Sequence, residues 1–185
     1  RPAILCRTGY TGEHGYEILP SWSDAGAVWD SLVEAIKPHD GLVCGLGARD
    51  TLRTEMGYPL HGHELTLQIT PVQAAASWAI GWDKSSFSGS TSLKEQREAG
   101  THTKLRALVS QDRGIPRAGM QIKDSQGVVV GEVTSGTFSP SLKKGIALAL
   151  VNPDFKIGDE VTVDVRGRDS LAVIVKLPLV TSNVR

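Results

Sequence analysis

The chain has 185 residues and no formal net charge, because 20 Lys and Arg balance 20 Asp and Glu. A neutral chain is a poor candidate for bulk electrostatic binding to nucleic acid or to an anionic membrane surface. Hydrophobic residues make up 40% and charged residues 22%, which indicates a globular protein, and no apolar run approaches the length of a membrane span. We therefore predict neither a nucleic-acid partner nor a membrane location.

The first residue is Arg1, and an apolar run with strand character follows at once at residues 2–6. Processing or the choice of expressed segment would explain a start without Met. A start within a predicted strand favours a different explanation, namely that the chain is a fragment of a longer protein.

The neutral total hides two halves of opposite charge. Residues 1–90 hold 6 Lys and Arg against 10 Asp and Glu, whereas residues 91–185 hold 14 against 10. A serine-rich stretch at 84–90 lies at the change and is typical of a connector. We predict two domains, 1–90 and 91–185.

Strand and helix signals alternate in the first half. Strands are predicted at 2–7 and 16–20, on either side of a glycine-rich turn. Helical spacing predicts a helix from a cap at Ser23 or Asp24 up to Pro38. A short strand at 41–44, a helix at 48–56 and a brief helix at 72–76 follow. Mixed strands and helices predict an α+β layer.

The second half is mostly strand and turn after one helix. Ser92 and Glu95 form a capping-box pattern for a helix that ends near Ala99. Six short strands with turn-rich separators predict a small β-barrel or sandwich. They are predicted at 105–110, 119–123, 128–134, 146–151, 160–165 and 171–176.

Glu17 is the first candidate binding residue. Strand alternation turns its carboxylate to the face opposite Tyr16 and Ile18. There it can accept two parallel N–H bonds from a heterocycle, as a pterin presents them. The alternative is a strand glutamate that simply faces solvent, and spacing alone leaves both open.

Arg49 is the second candidate. It lies in the first turn of the predicted helix 48–56, where the helix dipole disfavours a cation and the neighbouring Asp50 offsets the cost. Arg49 can bind an anionic group of a ligand or form a surface pair with Asp50.

Other side chains give weaker signals. Five aromatic residues can stack on a planar ligand or pack in a core: Tyr10, Tyr16, Tyr58, Trp78 and Trp82. Two cysteines make no disulfide framework, and Cys6 and Cys44 are expected to be buried thiols. His61 and His63 lack further ligands at a metal spacing, so we predict no metal site. No nucleophile–base set stands out.

Four blocks of sequence, in order, resemble the glycine cleavage system T-protein (aminomethyltransferase) family. The first is RTGYTGE at 7–13 with GYEI at 15–18, and the second is GARDTLR at 47–53 with GYPL at 57–60 and GHEL at 62–65. The third comprises Thr70-Pro71, Trp78, Lys84, Phe87 and Gly89. The fourth is GEVTSGTFSPSL at 131–142 followed by GIA at 145–147. The blocks span nearly the whole chain.

The resemblance implies tetrahydrofolate as cofactor and the lipoylated H-protein as partner. T-proteins take the aminomethyl group held on the lipoyl arm, transfer its one-carbon unit to tetrahydrofolate and release ammonia. Glu17 matches the family's pterin-binding Glu, and Arg49 matches its ligand-binding Arg. Tyr16 and Trp78 correspond to walls of the pocket. Arg185 lies where the family's C-terminal tail approaches the folate site.

The resemblance also implies a fold, namely a partial ferredoxin-like α+β region followed by a small C-terminal antiparallel β-barrel. Family members are about twice this length, and the Asp that matches the catalytic group lies in an N-terminal half that this chain does not include. We therefore expect no catalytic residue here and no aminomethyl transfer by the chain alone. Bacterial cytoplasm and mitochondrial matrix both suit the family.

Two related functions remain as alternatives. One is the folate-binding module of a dimethylglycine or sarcosine oxidising enzyme, although the sequence of residues 58–65 resembles the T-protein more. The other is a folate-dependent iron–sulfur assembly paralogue. Those paralogues carry a Lys-Gly-Cys-Tyr-x-Gly-Gln motif, and the corresponding residues 84–90 contain no Cys.

Overall fold

The computed structural model describes residues 2–182 of the chain. They form two compact units. The first comprises the described residues up to Arg53 together with Ser182, and the second comprises Thr54–Thr181. The predicted boundary between residues 90 and 91 stays a prediction.

The first unit contains a two-stranded antiparallel sheet and helices, as the α+β prediction requires. Strand β1 (Ala3–Cys6) pairs with β2 (Glu17–Pro20), and Cys6 lies opposite Glu17. Helix α1 (Ala25–Ile36) follows a short 3-10 helix, Trp22–Asp24. Helix α2 (Leu46–Met56) begins in this unit, and its last three residues belong to the second unit. A second 3-10 helix, Lys37–His39, carries the chain past Pro38.

Two local predictions are wrong. Residues 41–45 form no strand, because Asp40 adopts a left-handed conformation (φ 54°) and the Gly41 amide bonds back to the Ile36 carbonyl at 3.0 Å. Residues 72–76 form no helix, because residues 71–75 form turns, with Ala75 at φ 56°.

Apolar side chains of the first unit are exposed to an unusual degree. None of its described hydrophobic side chains is buried. Several are more than half exposed: Ile4, Leu5, Leu19, Trp22, Leu42 and Leu46. Apolar side chains exposed to this degree usually pack against another segment of the protein or against a partner.

The second unit is built around a closed antiparallel barrel. Helix α3 (Ser90–Ala99) precedes it. The barrel strands are β3 (Lys104–Ser110), β4 (Gln121–Lys123), β5 (Val129–Ser139), β6 (Lys144–Val151), β7 (Glu160–Val165) and β8 (Arg168–Val175). Their order around the barrel is β3-β6-β5-β4-β7-β8. The barrel prediction is confirmed, and closure leaves none of the six strands with an unpaired edge.

The barrel interior is aliphatic. Leu108, Ile122, Val133, Val163 and Ile174 are fully buried in one cluster. β6 carries small alanines at 147 and 149 that belong to the same cluster. Alternation of small and large side chains fits the limited width of a six-stranded barrel.

Helix α3 begins three residues earlier than its sequence pattern predicts. Its N-cap is Gly89 in a left-handed conformation (φ 81°), and no side chain caps the helix. The predicted capping box of Ser92 and Glu95 is therefore wrong, because Ser92 already lies inside the first turn.

Candidate functional site

The first unit contains a cavity of about 320 Å³ next to its small sheet. Its walls come from the loop between β1 and β2, the start of β2, and the segment that leads into the first turns of α2. The polar and aromatic side chains that line it include Thr8, Tyr10, Thr11, Glu13, Tyr16, Glu17 and Arg49. Three of the predicted site residues, Tyr16, Glu17 and Arg49, are thus brought together.

Glu17 presents its carboxylate to this cavity from the first position of β2. Its Oε2 accepts a hydrogen bond of 2.6 Å from the Thr8 hydroxyl. The residue is exposed, so a ligand in the cavity can reach its carboxylate. A carboxylate has further lone pairs on both oxygens, and it can therefore accept two N–H bonds from a planar ligand.

Arg49 lies on the first turn of α2 and also lines the cavity. Its guanidinium carbon is 4.5 Å from the centroid of the Tyr10 ring, which is a cation–π distance. The Asp50 carboxylate accepts hydrogen bonds from Arg53, with Nε at 2.8 Å and Nη2 at 2.7 Å. This arrangement favours a ligand-facing role for Arg49 over a surface pair with Asp50.

The charges of the wall define the chemistry that the cavity can accept. Glu13 and Glu17 supply carboxylates, Arg49 supplies a guanidinium, and Tyr10 and Tyr16 supply aromatic faces. A planar heterocycle with N–H donors and an attached anionic group would match these three features together.

The loop that forms one wall is rich in glycine. Gly9 and Gly15 border the cavity, and an added Cβ would meet nothing within 4 Å at either position. Gly12 has φ 76°, a conformation that an L side chain disfavours. Its carbonyl accepts a hydrogen bond of 2.9 Å from the Ser182 hydroxyl, so the C-terminal segment contacts this loop.

The other two predicted site residues are Trp78 and Arg185. Trp78 belongs to the second unit, on the 3-10 helix Ser77–Ala79, and is 86% exposed. It is not among the described residues that line the cavity. Arg185 lies outside the described residues. The roles of both stay predictions.

The structure adds residues that the sequence interpretation missed. Thr8 was read only as part of a motif, yet it bonds directly to Glu17. The sequence could have suggested it, because Thr8 and Glu17 flank the same predicted glycine-rich turn. Cys44 was expected to be buried, but it is exposed and lines the cavity, because residues 41–45 form no strand.

Outside this cavity, His63 has a structural contact with the barrel. Residues 2–182 contain no group of three or more His, Cys, Asp and Glu that could hold a metal ion. A cavity of about 550 Å³ in the second unit is lined by His63 and β5. His63 Nδ1 lies 2.7 Å from the Thr134 carbonyl oxygen, so this ring links the turn at residues 62–64 to barrel strand β5.

Known proteins with similar sequences and structures point to one family. A family model described as the GCVT N-terminal domain matches residues 1–84, and one described as the glycine cleavage T-protein C-terminal barrel domain matches residues 104–180. Aminomethyltransferases of Parafrankia sp. and of Mycolicibacterium paratuberculosis are 55% and 54% identical over the whole chain.

A solved structure supports the same relation. The crystal structure of glycine cleavage system aminomethyltransferase T from Bartonella henselae has a TM-score of 0.87 and 34% identity, and the match covers 97% of this chain and 50% of that one. The fold of this chain is thus similar to that of about half of an aminomethyltransferase. The chain belongs to the glycine cleavage T-protein family, whose members include these aminomethyltransferases.

The match is partial in one respect. The chain spans about half the length of the curated relatives it matches. In the described part of the chain, no helix has both the length and the apolar character needed to cross a bilayer.

Proposed function

We propose that the chain supplies the folate-binding part of a glycine cleavage aminomethyltransferase. The enzyme would transfer the one-carbon unit from the aminomethyl-lipoyl group of H-protein to tetrahydrofolate, with release of ammonia. The observation that carries the proposal is that Glu17 and Arg49 line one cavity with Tyr16 beside them. Relatives named aminomethyltransferase over the whole chain support it further.

In this proposal each cavity residue has one binding role. The Glu17 carboxylate accepts the N3–H and 2-amino hydrogens of the pterin, which fixes the orientation of the ring. Arg49 binds an anionic group of the ligand, such as the glutamate tail, and Tyr16 forms an aromatic wall. These residues bind and orient the acceptor, and the proposal assigns no catalytic group to this chain.

The catalytic Asp and the surface for H-protein are proposed to lie largely in the other half of a longer protein. The exposed apolar side chains of the first unit support this proposal, because each of them is uncovered in the described chain. Relatives twice as long supply enough additional chain to cover it. Since those relatives are bacterial, we propose the bacterial cytoplasm rather than the mitochondrial matrix as the location.

The proposed cover has its own test. A hydrophobic dye should bind the chain, and binding should fall when the N-terminal half of a close relative is added. Trp22→Ser with Leu42→Ser, two exposed positions, should reduce dye binding without reducing helix content. A chain that is monomeric and binds no dye would contradict the proposal of a covering half.

Folate binding by Glu17 is tested by titration. Calorimetry would measure the titration of tetrahydrofolate into the full-length protein. The parent would be compared with Glu17→Ala and Glu98→Ala. Loss of hydrogen bonds to a charged group predicts that Glu17→Ala weakens binding by about 1.5–3 kcal/mol. Glu98, an exposed residue of α3, is the control and should bind as the parent does. An unchanged dissociation constant for Glu17→Ala would remove Glu17 from the site.

A further inference from the structure

We infer that Thr8 is a positioning residue for the Glu17 carboxylate, an inference that rests on the proposed folate site. The Thr8 hydroxyl donates to Glu17 Oε2 at 2.6 Å, the usual length of a charge-assisted bond between a hydroxyl and a carboxylate. Both side chains line the same cavity. No motif of the family resemblance assigns a role to Thr8.

The hairpin register explains why these two side chains meet. Cys6 and Glu17 are direct partners in the antiparallel pair, so they point to the same face. Thr8 lies two residues after Cys6, beyond the end of β1 and directly after a bend at Arg7, and its hydroxyl reaches Glu17 Oε2 from there. The donor is thus placed by the same backbone that places the acceptor.

The bond restricts a side chain that is otherwise free to rotate. The terminal torsion of a glutamate is broad, whereas the χ1 of a β-branched threonine has few allowed states. A hydroxyl fixed at one carboxylate oxygen holds the carboxylate plane in one orientation. Oε2 keeps a second lone pair and Oε1 keeps both, so the carboxylate can still accept two parallel N–H groups. A preorganised acceptor loses less entropy when the ligand binds.

If the Thr8 hydroxyl served only the stability of the fold, its loss would lower the unfolding midpoint. Both residues are exposed, and water can replace an exposed hydrogen bond at little cost to the free energy of unfolding. Loss of the Thr8 hydroxyl should therefore affect ligand binding and leave thermal stability unchanged. This separation gives the inference its test.

The experiment compares Thr8→Val, which has nearly the same shape without the hydroxyl, with Thr8→Ser, which keeps the hydroxyl. Calorimetric titration of tetrahydrofolate into the full-length protein should show about a three- to tenfold weaker affinity for Thr8→Val than for the parent. Thr8→Ser should lie within about twofold of the parent, since the donor is retained. The unfolding midpoint of all variants should equal that of the parent.

A double variant separates this inference from the proposed function. In Glu17→Ala, the further change Thr8→Val should have no effect, because the acceptor is gone. If Glu17→Ala weakens binding but Thr8→Val does not, the inference about Thr8 is overturned and the proposed function stands. An equal effect of Thr8→Val with and without Glu17, or a lower unfolding midpoint, also overturns the inference. If Glu17→Ala has no effect, the proposed site fails and the inference fails with it.

Discussion

The Glu55 carboxylate, in the last turn of α2, accepts a hydrogen bond of 2.5 Å from the hydroxyl of Ser139, which lies 84 residues further along the chain at the end of β5. Both residues are buried. The same hydroxyl accepts a bond of 3.0 Å from the Leu142 amide in the β5–β6 turn. One serine therefore ties the end of a helix to a barrel hairpin and satisfies two buried groups.

Ser139→Ala should destabilise the second unit because it leaves a buried carboxylate oxygen and an amide without this partner. We expect the free energy of unfolding to fall by about 1.5–3 kcal/mol, measured by chemical denaturation. The control is Ser141→Ala, since Ser141 is exposed and donates to Glu55 over a longer 3.3 Å. It should cost less than half as much, and an equal loss for both variants would contradict this account.

The barrel strands could be predicted because each has a local signal. Alternating apolar residues bounded by turns identify all six, and the structure differs mainly in the length of β5. Barrel closure could not be separated from a sandwich, because it depends on the pairing of β3 with β8, about 65 residues apart in the chain. The pair Glu55–Ser139 is of the same long-range kind.

Local signals also misled where a partner was missing. The apolar residues at 41–44 resemble a strand, but a strand needs a neighbour, and a left-handed Asp40 turns the chain instead. Ser92 and Glu95 have capping-box spacing, but the left-handed Gly89 sets the helix start. Pattern alone carries no information on which of two possible starts the chain adopts.

The candidate site was predicted partly from strand alternation and partly from the family resemblance. Strand alternation placed the Glu17 carboxylate on the face opposite Tyr16 and Ile18, with no partner identified. Its assembly with Arg49 in one cavity came only from the family resemblance, because no spacing rule links a hairpin to a helix 32 residues further on. The contact of Arg49 with the Tyr10 ring was not anticipated at all.

Removal of the Tyr10 ring should release the Arg49 guanidinium from its place over the ring. Tyr10→Leu should weaken tetrahydrofolate binding by about 0.5–1 kcal/mol, the value of an exposed cation–π contact, while Tyr10→Phe should retain most of the affinity. Calorimetric titration measures both.

An Arg49 series tests whether the two effects share one cause. In Arg49→Ala, which should itself weaken binding by about 1.5–3 kcal/mol, the change Tyr10→Leu should add little. If Tyr10→Leu costs the same with and without Arg49, the ring contacts the ligand directly and does not act through the guanidinium.

Asp112 should make the stability of the barrel depend on pH in the acid range. The Ser170 hydroxyl and then the Gly114 amide, each 2.6 Å away, hold the pKa of Asp112 below its ordinary value of 3.8. A lowered folded-state pKa stabilises the fold above 3.8, and this contribution is lost as the pH falls from 3.8 through the lower folded value.

The check is the unfolding midpoint as a function of pH. Asp112→Asn should be less stable than the parent at pH 7, and the two curves should converge below pH 3.8. Ser170→Ala removes the leading cause of the shift, so its own loss of stability in acid should be shallower than that of the parent. Curves that stay parallel down to pH 2 would show that Asp112 does not contribute by this route.

Gly131→Ala should destabilise the barrel because β5 and β6 approach too closely there for a side chain. An added Cβ would lie 2.4 Å from the Leu150 carbonyl oxygen and 2.9 Å from the Val151 Cα, and neither backbone atom can move without disturbing the strand pairing. Overpacking of this kind costs about 1–3 kcal/mol or more, and chemical denaturation followed by circular dichroism would measure it.

Gly26→Ala is the control, since Gly26 lies within α1 with nothing inside 4 Å of its added Cβ. That change should stabilise its helix by roughly 0.5–1 kcal/mol, because alanine is the better helix former. A Gly131→Ala protein as stable as the parent would mean that the two strands can separate locally without loss of the barrel.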